Sequence, residues 1–152
     1  MNNARFPAKI IELEYFVHEG IRYDQDLFVE SKNGETFWIQ DVRLFCDDEM
    51  KGKTLEIEFS VSQSFSGDNL VKQGHKEKKI VFRKPDSKNK YPRDEPIFYG
   101  EIVGRKDDPR YLIVDVGSGT IIVSINTNEV DNFLIGDYIK IDSLMIHLCK
   151  LL

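Results

Sequence analysis

Basic residues cluster in three parts of the sequence, and several of them lie beside aromatic residues. Of the residues in this sequence, these are the best suited to binding a ligand. A lysine or arginine can contact a phosphate, and the flat face of a tyrosine can stack on a nucleobase. Single-stranded nucleic acid is bound by this combination of a cationic track and aromatic faces. The candidate residues are Arg105, Lys106, Arg110, Tyr111, Tyr138, Lys140, Lys78, Lys79 and Arg83.

The distribution of charge supports two different interpretations. The chain has 152 residues and a formal net charge of -5. Residues 73–99 hold 8 Lys+Arg against 4 Asp+Glu, whereas residues 1–72 hold 8 against 14 and residues 100–152 hold 5 against 8. A basic segment favours phosphate contacts, but acidic flanking regions repel nucleic acid at long range. The protein is therefore expected either to bind single strands directly or to act as a protein–protein assembly module.

Residues that would carry out catalysis do not form a recognisable motif. The three histidines, His18, His75 and His147, lie in no nucleophile-elbow, metalloprotease or zinc-binding pattern. Acidic clusters at 47–49 and 107–108 fall in predicted turns, where solvated aspartates are common. The sequence therefore predicts a protein that is not an enzyme and that has no metal site and no cofactor.

The cysteines and the lengths of the apolar segments indicate the kind of cellular compartment in which the protein is expected. Cys46 and Cys149 each lie in an apolar run, which predicts two small buried residues in a reducing environment. The longest apolar runs have about five residues, whereas a membrane span needs roughly 20. The expected location is a reducing intracellular compartment, cytoplasm or nucleus, without membrane association.

Apolar and polar residues alternate with period two along much of the chain, which is the pattern of strands with one wet face. Residues 11–15 and 55–61 show it most clearly. Phe37 and Trp38 are adjacent, so one side chain is expected in the core and the other on the opposite face. Short helical turns are predicted only at 47–50 and 126–134, and the class is all-β.

Two hairpins are predicted from turn residues. Asn33-Gly34 is a strong two-residue turn signal between strands at 27–31 and 36–42. Gly117-Ser118-Gly119 joins two β-branched segments, 111–116 and 120–125.

A similar order of strand, hairpin, polar turn and strand occurs twice. It divides the chain into a first barrel-like half at 1–72, a basic connector at 73–99 and a second half at 100–152. Residues 79–83 are predicted as a strand that pairs with residues 57–63. The alternative architecture is one larger barrel whose strands come from both halves.

The second half carries a family resemblance. The stretches EPIFYGEIVG at 95–104, YLIVDVGSGTI at 111–121 and IGDYIKI at 135–141 resemble the OB-fold subunits of replication protein A and of telomere-capping complexes. Val116 stands where that family has a second acidic or polar residue. The resemblance implies an OB-type small β-barrel, single or in tandem. It also implies a non-catalytic binding subunit of a nucleic-acid-handling complex, contacting single strands directly or through a larger OB-fold partner.

A second resemblance points to another ligand. Residues 140–148 look like the end of the TOBE barrels of oxyanion transport proteins, which implies binding of a small oxyanion. The segment after Met145 is short for the fifth strand that an OB fold needs.

Overall fold

Strands make up nearly all of the regular structure. The computed structural model describes residues 3–82, 91, 93 and 95–152, and within these ranges the chain forms eleven strands, two short 3-10 turns and no α-helix. The strands are β1 (Phe6–His18), β2 (Ile21–Ser31), β3 (Thr36–Asp41), β4 (Thr54–Ser62), β5 (Leu70–Lys72), β6 (Lys79–Phe82), β7 (Pro96–Arg105), β8 (Tyr111–Asp115), β9 (Thr120–Ser124), β10 (Tyr138–Asp142) and β11 (Ile146–Leu151). The 3-10 turns, Asp48–Met50 and Thr127–Glu129, lie within the two segments predicted as helical turns.

Five strands close into a barrel. Their order is β1-β2-β3-β11-β4, and β4 returns to pair with β1 through Phe6–Lys9. Strands β3 and β11 run parallel and meet at the single pair Gln40 and His147, whereas the other neighbours are antiparallel. This is an OB-type barrel, and it confirms the predicted all-β class.

The last barrel strand is β11, which follows all the other strands in the sequence. It pairs with β4 over Ile57–Val61, so the barrel takes strands from both predicted halves of the chain. Ile146–Leu151 follows Met145 as a strand of six residues, but it joins the barrel built mainly by the first half and does not complete a second barrel.

The remaining strands form an extension of the same sheet. Its order from β4 is β9-β8-β7-β10-β5, with β6 paired to β7. The predicted pairing of residues 79–83 with 57–63 is wrong, because Lys79–Phe82 pairs with the first part of β7. The hydrogen-bonded sheet thus runs across the boundaries at 72 and 99, and the division into domains stays a prediction.

The barrel and the extension share one hydrophobic core. Phe98 of β7 lies with its ring centre 5.6 Å from Phe37 of β3 and 6.1 Å from Phe59 of β4. Phe6 of β1 completes this group, at 5.0 Å from Phe59. These rings are almost fully buried, and such contacts add specific edge-to-face geometry to the burial of apolar area. The extension is therefore fixed against the barrel.

The two cysteines differ in their surroundings. Cys46 is buried as predicted, but Cys149 lies exposed on β11, so the prediction that both are buried is wrong for Cys149. Both thiols are free. Alternation explains the difference, since Leu148 points into the core and its neighbour must point outward.

Candidate binding surfaces

Arg105, which the sequence suggested as a phosphate ligand, has its guanidinium bound by backbone carbonyls of the same chain. Its guanidinium donates hydrogen bonds to the backbone carbonyls of Pro109 at 2.8 Å, Val130 at 2.9 Å and Phe133. A guanidinium has five donors, and here at least three of them hold the loop after β7 to the segment that precedes β10. Arg105 thus links these two loops through its hydrogen bonds.

The neighbouring basic residues are also paired. Lys106 Nζ lies 2.9 Å from Glu58 Oε1, and Glu58 is buried in β4. The Arg110 guanidinium binds both carboxylate oxygens of Asp108, and this contact lowers the pKa of Asp108. It also lies 5.8 Å from the ring centre of Tyr111. These cations are therefore largely neutralised by carboxylates of the same chain.

Strands β6, β7, β10 and β5 bring other predicted residues together on one face. Tyr99 of β7 is directly opposite Lys79 on one side and Lys140 on the other, and Lys140 is in turn opposite Val71. Directly paired residues point to the same side of a sheet, so these four side chains form one row. Lys79 Nζ lies 5.0 Å from the centre of the Tyr99 ring.

The next row on this face adds a hydrogen-bonded group. Tyr138 donates its hydroxyl proton to Glu101 over 3.2 Å. Lys78 Nζ lies 3.2 Å from Glu101 and 2.9 Å from Asp115, and hydrogen bonds to these two carboxylates raise the pKa of Lys78. We call the side chains of Lys78, Lys79, Tyr99, Tyr138 and Lys140 the lysine–tyrosine face.

The lysine–tyrosine face contains four of the nine residues predicted from the sequence. Arg83, the last of the predicted set, lies outside the described residues. Tyr99 was not predicted, although its position in an alternating strand could have indicated a surface aromatic. Among the residues that the structure describes, Lys140 has no carboxylate within ion-pair distance, whereas Lys79 lies 3.2 Å from Glu77.

A second surface lies on the outside of the barrel, where β2 and β3 pair. Phe28 is directly opposite Trp38, and their ring centres are 5.1 Å apart. Tyr91 of the connector lies over them, with its ring centre 5.0 Å from Phe28 and 6.5 Å from Trp38. As predicted, Phe37 points into the core and Trp38 to the opposite side.

Arg93 of the connector binds to the same surface. Its guanidinium carbon is 3.7 Å from the centre of the Trp38 ring, and its nitrogens lie 2.7 Å from Glu14 and 2.6 Å from Asp26. We call Glu14, Asp26 and Trp38 the arginine clamp. Burial raises the pKa of Asp26, and the hydrogen bond and positive charge of Arg93 oppose that rise.

A groove continues from the arginine clamp towards β11. Its wall is formed by the start of β7, by β3 and by the loop before β11. The lining includes Gln40, Pro96, Leu144, Met145 and Ile146. Strands β3 and β11 share only one residue pair, Gln40 and His147, beside this groove. No pattern in the sequence indicated this surface beyond the adjacent Phe37 and Trp38.

Neither a metal-binding cluster nor a membrane-spanning helix occurs in the part of the chain that the structure describes. No group of three or more histidine, cysteine or carboxylate side chains there could hold a metal ion. No helix in that part has the length and hydropathy to cross a bilayer.

Comparison with protein families, curated proteins and solved structures found no match to this chain.

Proposed function

We propose that this protein is a non-catalytic, OB-type binding subunit of a nucleic-acid-handling complex, and that it contacts single-stranded nucleic acid through the lysine–tyrosine face. The observation that supports this most is the row in which Tyr99 lies between Lys79 and Lys140. An aromatic ring between two ammonium groups offers one base-stacking surface and two phosphate contacts. The location in a larger complex rests on the resemblance to OB-fold subunits.

The charge pattern makes the other candidate residues poorer ligands for phosphate. Arg105 donates to three carbonyls, Lys106 is paired with a buried carboxylate, and Arg110 is bound by Asp108. A phosphate would have to displace or share these partners. Lys140 has no such competitor among the described residues, and Lys79 pairs with one half-exposed glutamate, an interaction worth little in water.

Fluorescence anisotropy with a labelled single strand of roughly 20–30 nucleotides tests this proposal, because that length exceeds the roughly 4–16 nucleotides that one such barrel covers. Each phosphate contact to a single strand contributes about −0.7 to the slope of log K against log salt concentration, so two contacts predict a slope of about −1.4. Lys79→Ala/Lys140→Ala should remove most of that slope. Tyr99→Ala should weaken binding by roughly 5- to 150-fold, the range of about 1–3 kcal/mol per stacked base, and Tyr99→Phe should not.

Arg110→Ala is the matched control, because Arg110 is equally cationic and exposed but already paired with Asp108. It should change the affinity by less than twofold. Absence of binding at low salt, or equal loss in the Arg110 variant and in the double lysine variant, would contradict direct contact through this face.

A second candidate function, protein assembly, is favoured by the hairpin of β1 and β2. Only residues 25–30 of β2 pair with β3, so the end of this hairpin extends beyond the barrel as two strands. Val17, Ile21 and Tyr23 are exposed there, with Ile21 68% accessible. Exposed apolar residues grouped at one site are typical of interaction surfaces. Ile21→Lys should abolish co-purification of a partner subunit and leave the thermal stability unchanged.

A further inference from the structure

We infer that the outer face of β1, β2 and β3 is a recognition site for an extended segment of a partner protein that carries an arginine two residues after an aromatic residue. The chain's own Tyr91 and Arg93 occupy this site, and a partner segment would take their place. The inference does not depend on the lysine–tyrosine face, which lies on other strands.

The arginine clamp fits a guanidinium better than any other cation. Trp38 offers its ring face to the guanidinium plane at 3.7 Å, while Glu14 and Asp26 each accept from a different nitrogen. A planar group with donors on both sides matches this arrangement, whereas a lysine ammonium cannot stack its charge on the ring face in the same way. This face therefore selects an arginine side chain by its planar shape as well as by its positive charge.

The aromatic position is defined by contacts of a different kind. The Tyr91 ring lies 5.0 Å from Phe28, whose own side chain is buried, and the Trp38 indole N–H donates to the carbonyl oxygen of Tyr91 at 3.4 Å. The ring contact selects an aromatic residue. The hydrogen bond to a backbone carbonyl anchors the segment at this position and can be made by any sequence.

Two features indicate that the occupant can be exchanged. The ion pair between Arg93 and Glu14 is half-exposed on both sides, and such pairs contribute little net free energy. The groove beyond Arg93 runs past Leu144 and Met145, which are 46% and 50% accessible, so a longer segment would bury apolar area there. Residues 1–72 carry more acidic than basic charge, which attracts a basic segment and disfavours a nucleic acid.

The test uses Trp38, the one tryptophan of the chain, as the reporter. An end-blocked peptide with the sequence of residues 89–96 is titrated into the wild-type chain and into Arg93→Ala, and Trp38 fluorescence is followed. If the chain's own segment occupies the site about 90% of the time, removing it lowers the apparent Kd about tenfold. A peptide with lysine in place of arginine should bind at least tenfold more weakly to Arg93→Ala.

Asp26→Asn in the Arg93→Ala background changes only charge and tests the same site without opening a cavity. It should reduce peptide affinity, whereas Lys140→Ala in that background should not. Equal peptide affinity in wild type and Arg93→Ala, or equal binding of the arginine and lysine peptides, would overturn the inference. So would a labelled oligonucleotide that displaces the bound peptide from Arg93→Ala, as followed by Trp38 fluorescence. A failed oligonucleotide titration of the wild type leaves this result unaffected, so the two proposals fail separately.

Discussion

Lys106 and Glu58 form an ion pair of 2.9 Å between the loop after β7 and barrel strand β4. Glu58 is only 4% accessible, and its other carboxylate oxygen accepts a hydrogen bond from the backbone N–H of Ala4 at 2.9 Å. One carboxylate thus joins the extension, the barrel and the segment before β1.

Removing the lysine should therefore destabilise the whole protein. Lys106→Ala leaves a buried carboxylate with only one strong donor, and loss of one partner of a buried pair costs about 3–5 kcal/mol, less here because Ala4 still donates. We expect a loss of about 2–3 kcal/mol in the free energy of unfolding, measured by urea denaturation. Lys140→Ala is the control and should stay within about 0.5 kcal/mol of wild type. Equal stability of the two variants would show that the pair contributes nothing.

Gly100 marks a close approach of β7 to β8. A Cβ atom at this position would lie 2.4 Å from the carbonyl oxygen of Asp115 and 2.7 Å from a methyl group of Val114. Gly100→Ala should therefore force the two strands apart. Overpacking of this kind costs about 1–3 kcal/mol, and a loss of 1 kcal/mol lowers the Tm of a domain of this size by about 2–4 °C, so the melting temperature should fall by roughly 2–12 °C. Gly74→Ala, where a Cβ meets nothing within 4 Å, should melt like the wild type.

The two thiols should react at very different rates. Burial, together with the nearby charges of Asp41 and Asp47, raises the pKa of the Cys46 thiol to about 12, while Cys149 is exposed on β11. Desolvation also raises the pKa of the Cys149 thiol, but this side chain reaches solvent, so a thiol reagent at pH 8 should modify Cys149 before Cys46, which should react only after unfolding. Cys149→Ser should remove the fast phase. A fast phase that persists in Cys149→Ser would mean that Cys46 is accessible.

The stabilising effect of Arg93 should depend on pH. The pKa of Asp26 lies above its ordinary value of 3.8 because the group is buried, so ionising this carboxyl costs stability as the pH rises, and Arg93 offsets part of that cost. Arg93→Ala raises the pKa of Asp26 further. The stability difference between wild type and Arg93→Ala should then be largest near pH 7 and shrink as the pH falls towards 4. In an Asp26→Asn background the difference should vary much less, which thermal melts across this pH range would show.

Local elements of the fold were predictable because they depend on neighbouring residues. Asn33-Gly34 joins β2 to β3, Gly34 adopts a φ of 85°, and its N–H donates to Ser31 at 3.0 Å. Period-two alternation likewise identified β1 and β4, since one face of each is buried. These local patterns can be recognised without knowing which distant segments the strands contact.

Pairings between distant segments were not predictable in the same way. Nothing in Ile146–Leu151 indicates that its neighbours are β3 and β4, because alternation shows which face is buried but not which strand lies alongside. The same limit applies to the sites. Arg105 and Lys106 have the residue types of phosphate ligands, yet loop carbonyls and Glu58 use their donors. No sequence feature distinguishes Arg93 from the other charged residues of the connector, because its contact with Trp38 depends on the tertiary fold.

The position of β11 also sets an order of events during synthesis. Until β11 has left the ribosome, the first four barrel strands have a gap between β3 and β4, and both of these strands expose unpaired backbone groups. The hairpins of the extension, above all β8–β9, need only nearby residues and can form in that interval. A nascent chain stalled before residue 146 would therefore display two open strand edges, which chaperones recognise and which promote aggregation.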